Sequence, residues 1–183
     1  AVDTQADLAS VNALNNGTLF AFTGEATVVA NPDNKNVYIK DANSYSLIYD
    51  NKGATTLPIG TKITPNWIGK ISIYNGLVEI VPISELVAVE GEPAVVTHDE
   101  ATIANVVEAN INKVVVFKGL TYTLETGKNI TFKEGEQTIA GYNKFSLTID
   151  EPVEGKKYDV VGAISINNST MQISALSITR VPE

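Results

Sequence analysis

The chain has 183 residues, enough for one large domain or two small ones, and its 44% apolar and 19% charged residues are typical of a globular protein. Its net charge of −8 at pH 7 argues against unassisted attraction to phosphate backbones or anionic lipid. The chain has no cysteine, which excludes disulfides, thiolate metal sites and a cysteine nucleophile. No apolar run approaches the roughly 18 residues that a membrane-spanning helix needs.

The first predicted element is a short amphipathic helix within residues 4–17. Leu8, Val11 and Leu14 recur on one face of this segment, and Gly17 is expected to end the helix.

Five strand-like segments follow the helix. Their predicted bounds are Thr18–Ala30, Asn36–Asp41, Tyr45–Asp50, Thr61–Tyr74 and Leu77–Ser84. The Asn-Gly pair between the last two segments is the strongest short signal for a β-hairpin. The stretch that follows, "AVEGEPAV" over residues 88–95, is interpreted as a linker.

The second half of the chain repeats the first. "GKISIYNGLVEIVPIS" at residues 69–84 returns as "GAISINNSTMQISALS" at residues 162–177, and "NVYIKD" at 36–41 returns as "NITFKE" at 129–134, both 93 positions later. A helix is also predicted at the start of this copy, because Thr97 and Glu100 form a capping-box pattern ahead of Ile103. The chain is therefore predicted to be a tandem duplication, with domain 1 over residues 1–90 and domain 2 over residues 91–183.

Five strands in about 90 residues, the last two joined by a tight turn, favour a small closed barrel over a seven-stranded sandwich. The predicted fold is thus mainly β, with two five-stranded OB-like barrels, each preceded by a short α-helix. The motifs "YIKD", "LIYD" and "GKISIYNG" in this order resemble the OB fold, and more closely the tandem OB-like domains of exported, lipoprotein-type proteins of gut Bacteroidetes.

That resemblance implies an extracellular or periplasmic location, with lipid anchoring through a removed N-terminal segment as one option. The start at Ala1 rather than methionine fits a chain whose targeting segment has been removed. The resemblance also implies a non-enzymatic binding or spacer module whose partner is a glycan or an envelope protein.

Residues suited to catalysis are few. His98 is the only histidine, and it is interpreted as an exposed residue of a helix start rather than a general base. The carboxylate pairs are interpreted as solvated turn residues; they are Asp99/Glu100, Glu134/Glu136 and Asp150/Glu151. Calcium near Asp33 or Asp41 is conceivable, although no EF-hand pattern is present. No enzyme activity, cofactor or metal is expected.

Ligand binding is the better prospect, because the OB face that meets ligands is formed by the second and third barrel strands. Alternation in "NVYIKD" points Val37 and Ile39 one way and Tyr38 and Lys40 the other. The candidate binding residues are Tyr38, Lys40, Tyr45, Trp67 and Lys133. Trp67 also has a competing interpretation as a core residue.

The first copy is expected to carry the better binding face. In the second copy Thr131 takes the place of Tyr38, while Lys133 keeps the place of Lys40. Tyr142 matches Tyr49 and is interpreted as having a structural role.

The alternative function is single-stranded nucleic-acid binding, which the charge disfavours. Residues 1–92 carry 10 acids and 5 bases, and residues 93–183 carry 11 and 8, so neither half is basic. A basic groove could still support this function if five lysines lay on one face with Tyr38; they are Lys35, Lys40, Lys52, Lys62 and Lys70.

Overall fold

The structure is a computed structural model that describes residues 2–183. The backbone divides into two compact units, the first ending at Thr97 and the second running from His98 to Glu183. Each unit is described by itself below.

Unit 1 contains one α-helix and seven strands in its described part. Their bounds are β1 Asp3–Gln5, α1 Leu8–Asn12, β2 Leu19–Phe22, β3 Thr27–Ala30, β4 Asn36–Lys40, β5 Tyr45–Tyr49, β6 Trp67–Tyr74 and β7 Leu77–Pro82. The predicted helix is confirmed in a shorter form, capped by the carboxylate of Asp7, which accepts the N–H of Ser10 at 2.8 Å. Leu8 and Val11 are fully buried, each a gain of about 1.5–3 kcal/mol from burial.

The sheet of unit 1 has the strand order β1-β2-β6-β7-β5-β4-β3. The chain from β2 to β3 acts as the first strand of the barrel, because β2 pairs with β6 while β3 pairs with β4. Strands β5 and β7 are parallel, and all the other pairs except β1–β2 are antiparallel.

The single strand predicted over Thr18–Ala30 is two strands, with a break between Phe22 and Thr27. Gly24 lies in this break, where a Cβ would stand 2.2 Å from the carbonyl oxygen of Ala6. The backbone before α1 therefore approaches the break too closely for any other residue.

The stretch 88–95 is paired with unit 1 rather than free. The N–H of Val89 donates to the carbonyl of Lys62 at 2.8 Å, and the N–H of Ala94 donates to the carbonyl of Gly60 at 3.0 Å. These bonds place the stretch alongside residues 60–63, which in turn bond to the outer edge of β3.

Unit 2 contains six strands and two short 3-10 helices. The strands are β8 Glu100–Ala101, β9 Val114–Leu124, β10 Asn129–Glu134, β11 Gln137–Tyr142, β12 Tyr158–Asn167 and β13 Thr170–Arg180. The 3-10 helices span Ile103–Asn105 and Glu108–Asn110.

Unit 2 is a closed barrel. Its strands run β9-β10-β11-β13-β12 and return to β9, because the two halves of β9 pair with β12 and β10. Numbered from β9, this is the order 1-2-3-5-4-1 with the third and fifth strands parallel, which is the OB topology. Unit 1 repeats that order, so the prediction of two tandem OB-like barrels is confirmed.

The α-helix predicted at the start of the second copy is wrong. The segment forms β8 and the two 3-10 helices instead. Thr102, not Thr97, begins the first of them, and its N–H donates to Oδ1 of Asn105 at 2.8 Å. The Ile103/Val106 spacing therefore gives single turns only.

Both hairpin predictions are confirmed. Asn75 and Gly76 join β6 to β7 with φ values of 51° and 86°, the left-handed pair that a type I′ turn needs. Asn167 pairs with Thr170 across the second hairpin. None of the helices in residues 2–183 has the length and hydrophobicity that a bilayer crossing requires.

Candidate nucleic-acid or glycan interface

The outer face predicted for the second and third strands of unit 1 is buried. Tyr38 is 1% exposed, Leu47 1% and Tyr45 9%. The alternation in β4 predicts one buried and one solvent-facing side, whereas residues 36–39 are buried on both sides. Tyr38 therefore offers no exposed ring, while Lys40 at the end of β4 is partly exposed. Which copy carries the better binding face stays a prediction.

Trp67 is also a core residue. It is 3% exposed, and its ring centroid lies 5.7 Å from that of Phe20 and 5.3 Å from that of Phe22. It is therefore not placed to stack on a ligand, and the competing interpretation as core holds.

Lys40 and Tyr45, two of the predicted binding residues, do come together. They lie opposite each other on β4 and β5, and the Lys40 ammonium is 5.2 Å from the centroid of the Tyr45 ring, a cation–π contact. Lys40 lines a pocket of unit 1 with Lys62, which we call the Lys40 pocket.

The predicted basic groove does not form. Lys35 lies at the opposite end of β4 from Lys40, beside Gly53 in the same region as Lys52. Lys70 lies on β6, opposite Leu19. The five lysines thus belong to three separate places, and Tyr38 is buried.

Unit 2, in contrast, has an accessible outer face on its first three strands. We call it the β10 face, and its residues are Thr121, Thr123, Thr131, Lys133, Thr138, Ala140 and Tyr142. None of them is buried, while their neighbours Tyr122, Ile130 and Phe132 point into the core. Lys133 is therefore the predicted binding residue that the structure leaves exposed on an OB ligand face.

Strand register fixes which side chains of the β10 face are neighbours. Lys133 lies opposite Thr121 on one side and Thr138 on the other. Residues directly opposite in a ladder share a face, so two hydroxyls flank the Lys133 stem. Thr131 likewise lies between Thr123 and Ala140.

Tyr142 lies at one end of the β10 face, opposite Asn129. Tyr142 is partly exposed, so the interpretation of this residue as a purely structural match to Tyr49 missed a candidate contact residue. The signal that could have found it was register, because Tyr142 and Lys133 are on paired strands and both point outward.

The charges around the β10 face nearly balance. Lys128 precedes β10 and donates from Nζ to Oγ of Ser146 at 3.0 Å, and both side chains are exposed. Glu125 accepts the hydroxyl of Thr131 at 3.1 Å. Glu134 is directed toward the N–H of Ile103 at 3.4 Å, away from the outer face. Lys128 and Lys133 are therefore offset by Glu125 and by Glu136, which is exposed in the turn between β10 and β11.

The two acids considered for calcium hold the chain's own turns. Asp33 accepts the N–H groups of Lys35 and Asn36, and Asp41 accepts those of Leu8, Asn43 and Ser44. In residues 2–183 no group of three or more His, Asp or Glu side chains could hold a metal ion. The absence of catalysis stays a prediction.

No protein-family model matches the chain, and no curated protein sequence matches it. Among solved structures, the p204 HINb domain is similar with a TM-score of 0.43 at 15% identity, covering 88% of this chain and 97% of that one. The Ifi202 HINa domain in complex with 20 bp dsDNA gives 0.40 at 10%, covering 92% and 99%.

A replication protein A heterotrimer bound to ssDNA is also similar, with a TM-score of 0.34 at 10% identity, covering 92% of this chain and 50% of that chain. At these identities and TM-scores the likeness is one of general fold, and it says nothing of what this chain binds.

Proposed function

We propose that the chain is a non-enzymatic binding protein that holds a single-stranded nucleic acid on the β10 face of unit 2. The observation that carries this proposal is the accessibility of that face, since Tyr38, Leu47 and Tyr45 on the corresponding face of unit 1 are buried. OB folds bind oligonucleotides and oligosaccharides with this surface and the loops beside it.

Tyr142, which is partly exposed, supplies the stacking surface. Stacking of a base on an aromatic side chain is worth about 1–3 kcal/mol and accepts any base. Tyr142 lies beside the loop between β9 and β10, where an extended strand would enter or leave the face.

Lys128 and Lys133 supply the phosphate contacts. Lys133 lies on β10, whereas Lys128 lies in the turn just before that strand. Two phosphates at most are neutralised, so the affinity is modest and falls only gently with salt. A net charge of −8 is compatible with this mode because only local cations take part.

A glycan is the second candidate, and a specific observation favours it. Thr121, Thr123, Thr131 and Thr138 form a row of hydroxyls on a surface with little net charge. Hydroxyls both donate and accept hydrogen bonds, as recognition of sugar hydroxyls requires. A glycan on this face binds independently of salt.

Amide chemical shifts in ¹H–¹⁵N spectra test the location. We expect an oligothymidylate of about twelve nucleotides, within the range that one OB fold covers, to shift the amides of Thr131, Lys133 and Tyr142. If a neutral glucan oligosaccharide shifts these amides and the oligothymidylate does not, the ligand is a glycan. Shifts confined to other surfaces contradict both nucleic-acid binding and glycan binding on the β10 face. If neither ligand shifts any amide, both binding functions are contradicted and the predicted spacer role is favoured.

Export to the cell envelope, with or without a lipid anchor, stays a proposal that rests on the sequence resemblance alone. Fractionation of the cells that make the protein tests it. Recovery only in the cytoplasmic fraction contradicts it.

A further inference from the structure

The Lys40 pocket of unit 1 has a volume of about 570 Å³, and all its lining residues belong to that unit. The volume falls within the roughly 300–1,000 Å³ of small-molecule sites. Its floor is the outer face of β3 and β4 at the end where Thr27 and Lys40 pair. Its walls come from Ala6 and Asp7 before α1, from residues 41–43 after β4 and from residues 95–97.

Two lysines line the pocket, one on each side of Thr27. Thr27 lies opposite Lys40 in the β3–β4 ladder and opposite Lys62 in an isolated antiparallel bridge. Because opposite residues share a face, both lysine stems rise beside the Thr27 hydroxyl. The Tyr45 ring lies 5.2 Å from the Lys40 ammonium, so the cation is held in place before any ligand arrives.

Two carboxylates, those of Asp7 and Asp41, also line the pocket. Asp41 accepts three backbone N–H groups at 2.8–3.0 Å, and Asp7 accepts that of Ser10 at 2.8 Å, which fixes both side chains. This hydrogen bond from the Ser10 backbone holds the pKa of Asp7 below its ordinary value, so the group stays charged. Both carboxylates keep lone pairs free to accept from a cation.

The Lys62–Glu25 ion pair is not an obstacle to a ligand. Its atoms are 3.3 Å apart, but its side chains are 52% and 71% exposed. Exposed pairs contribute little stability, and their members exchange partners readily.

Aliphatic surface completes the lining. Val29 lies in the floor, while Val95 and Val96 lie in the wall. Val95 is 92% exposed, an unusual position for a valine. The hydrogen bond from the Ala94 N–H to the Gly60 carbonyl, at 3.0 Å, anchors this wall to unit 1.

We propose that the Lys40 pocket binds a small zwitterion with an aliphatic side chain, namely a free amino acid or short peptide. Its carboxylate meets the lysines, its ammonium meets Asp7 and Asp41, and its side chain covers Val29, Val95 and Val96. A simple anion leaves the carboxylates unmatched, and a simple cation leaves the lysines unmatched. This site is independent of the β10 face, which belongs to unit 2.

Three related probes test the charge pattern. L-leucine carries both charges, N-acetyl-L-leucine lacks the cation and L-leucinamide lacks the anion. In titrations followed by ¹H–¹⁵N spectra, we expect leucine to shift the amides of Thr27, Lys40 and Val96. Each analogue is expected to bind at least about tenfold more weakly, the effect of one lost charge-assisted hydrogen bond.

Lys40→Met keeps the aliphatic stem and removes the charge, and we expect it to weaken leucine binding at least about fivefold. Lys70→Met, on β6 outside the pocket, is the matched control and should bind as the wild type does. Val95→Asp changes an exposed side chain, so it tests the aliphatic wall without disturbing the core; it too should weaken binding. The proposal is overturned if leucine does not bind, if all three probes bind equally or if either analogue binds more tightly than leucine. It is also overturned if Lys40→Met binds leucine as the wild type does.

Discussion

The ring of Phe132 occupies the space that a side chain at Gly141 would need. A Cβ at position 141 would stand 2.3 Å from Cε2 of Phe132. The two residues are diagonal neighbours, because Gly141 on β11 pairs with Ile130 and Phe132 on β10 pairs with Ile139. Gly141 does not have a positive φ, so the requirement for glycine is one of space. This close approach brings β11 over the core of unit 2, where Phe132 is fully buried.

Gly141→Ala is therefore expected to destabilise the protein by about 1–3 kcal/mol, the usual cost of overpacking a core. Thr138→Ala, an exposed change on the same strand, is the control and should stay within about 0.5 kcal/mol of the wild type. Urea unfolding followed by far-UV circular dichroism measures both. An unchanged midpoint for Gly141→Ala contradicts the packing described here.

Trp67 should report a dry environment. Because its ring packs on Phe20 and Phe22, we expect blue-shifted fluorescence that iodide quenches poorly. Truncation by Trp67→Ala should cost about 3–5 kcal/mol of stability. Strong quenching in the native protein would instead place the ring at the surface, as a ligand-stacking role requires.

The loop after β5 should contribute less to the stability of the fold in acid, because its Asp50 carboxylate becomes protonated. Desolvation raises the pKa of Asp50. Hydrogen bonds from the hydroxyl of Thr55 and from the N–H groups of Lys52, Ala54 and Thr55 lower it by more, so the net pKa is below the ordinary 3.8. A lowered carboxylate pKa stabilises the fold above about pH 4 and ceases to do so as the pH falls through the folded value.

Asp50→Asn should accordingly be less stable than the wild type at pH 7, and the difference should shrink below about pH 4. Denaturant midpoints at pH 7 and pH 3 measure it. A difference between the two proteins that grows in acid has the wrong sign for this account.

Tyr38 should resist ionisation. Desolvation is the main cause that raises the pKa of Tyr38 well above the ordinary value, and the negative charges of Asp33 and Glu79 raise it more. Alkaline difference spectra of the wild type and Tyr38→Phe should therefore coincide up to about pH 11, one unit above the ordinary tyrosine pKa. A smaller tyrosinate signal in Tyr38→Phe near pH 10 would show that this phenol is accessible.

The strand order could be predicted because the signals that set it are local and occur twice. Asn75-Gly76 and Asn167–Thr170 close hairpins at matching places, and the alternating segments around them give the strands. The helix before the second barrel could not be predicted in this way, since the same apolar spacing suits single 3-10 turns.

The candidate site was predicted less well because alternation shows which residues share a face but not whether that face is exposed. Tyr38 and Thr131 occupy matching outward positions in the two copies, yet Tyr38 is buried and Thr131 is partly exposed. The Lys40 pocket depends on a contact across sequence that no local pattern shows, the pairing of Thr27 with Lys62.

The central claim is tested most directly by the fluorescence anisotropy of a labelled single-stranded oligonucleotide at about 50 and 200 mM salt. With two phosphate contacts the affinity should fall about sevenfold between these conditions. Tyr142→Ala should weaken it by about 5- to 150-fold, equivalent to about 1–3 kcal/mol of stacking. Tyr74→Ala, at a 66% exposed tyrosine of unit 1, should bind as the wild type does. No binding at either salt concentration, or equal affinities for the two tyrosine variants, would contradict nucleic-acid binding on the β10 face.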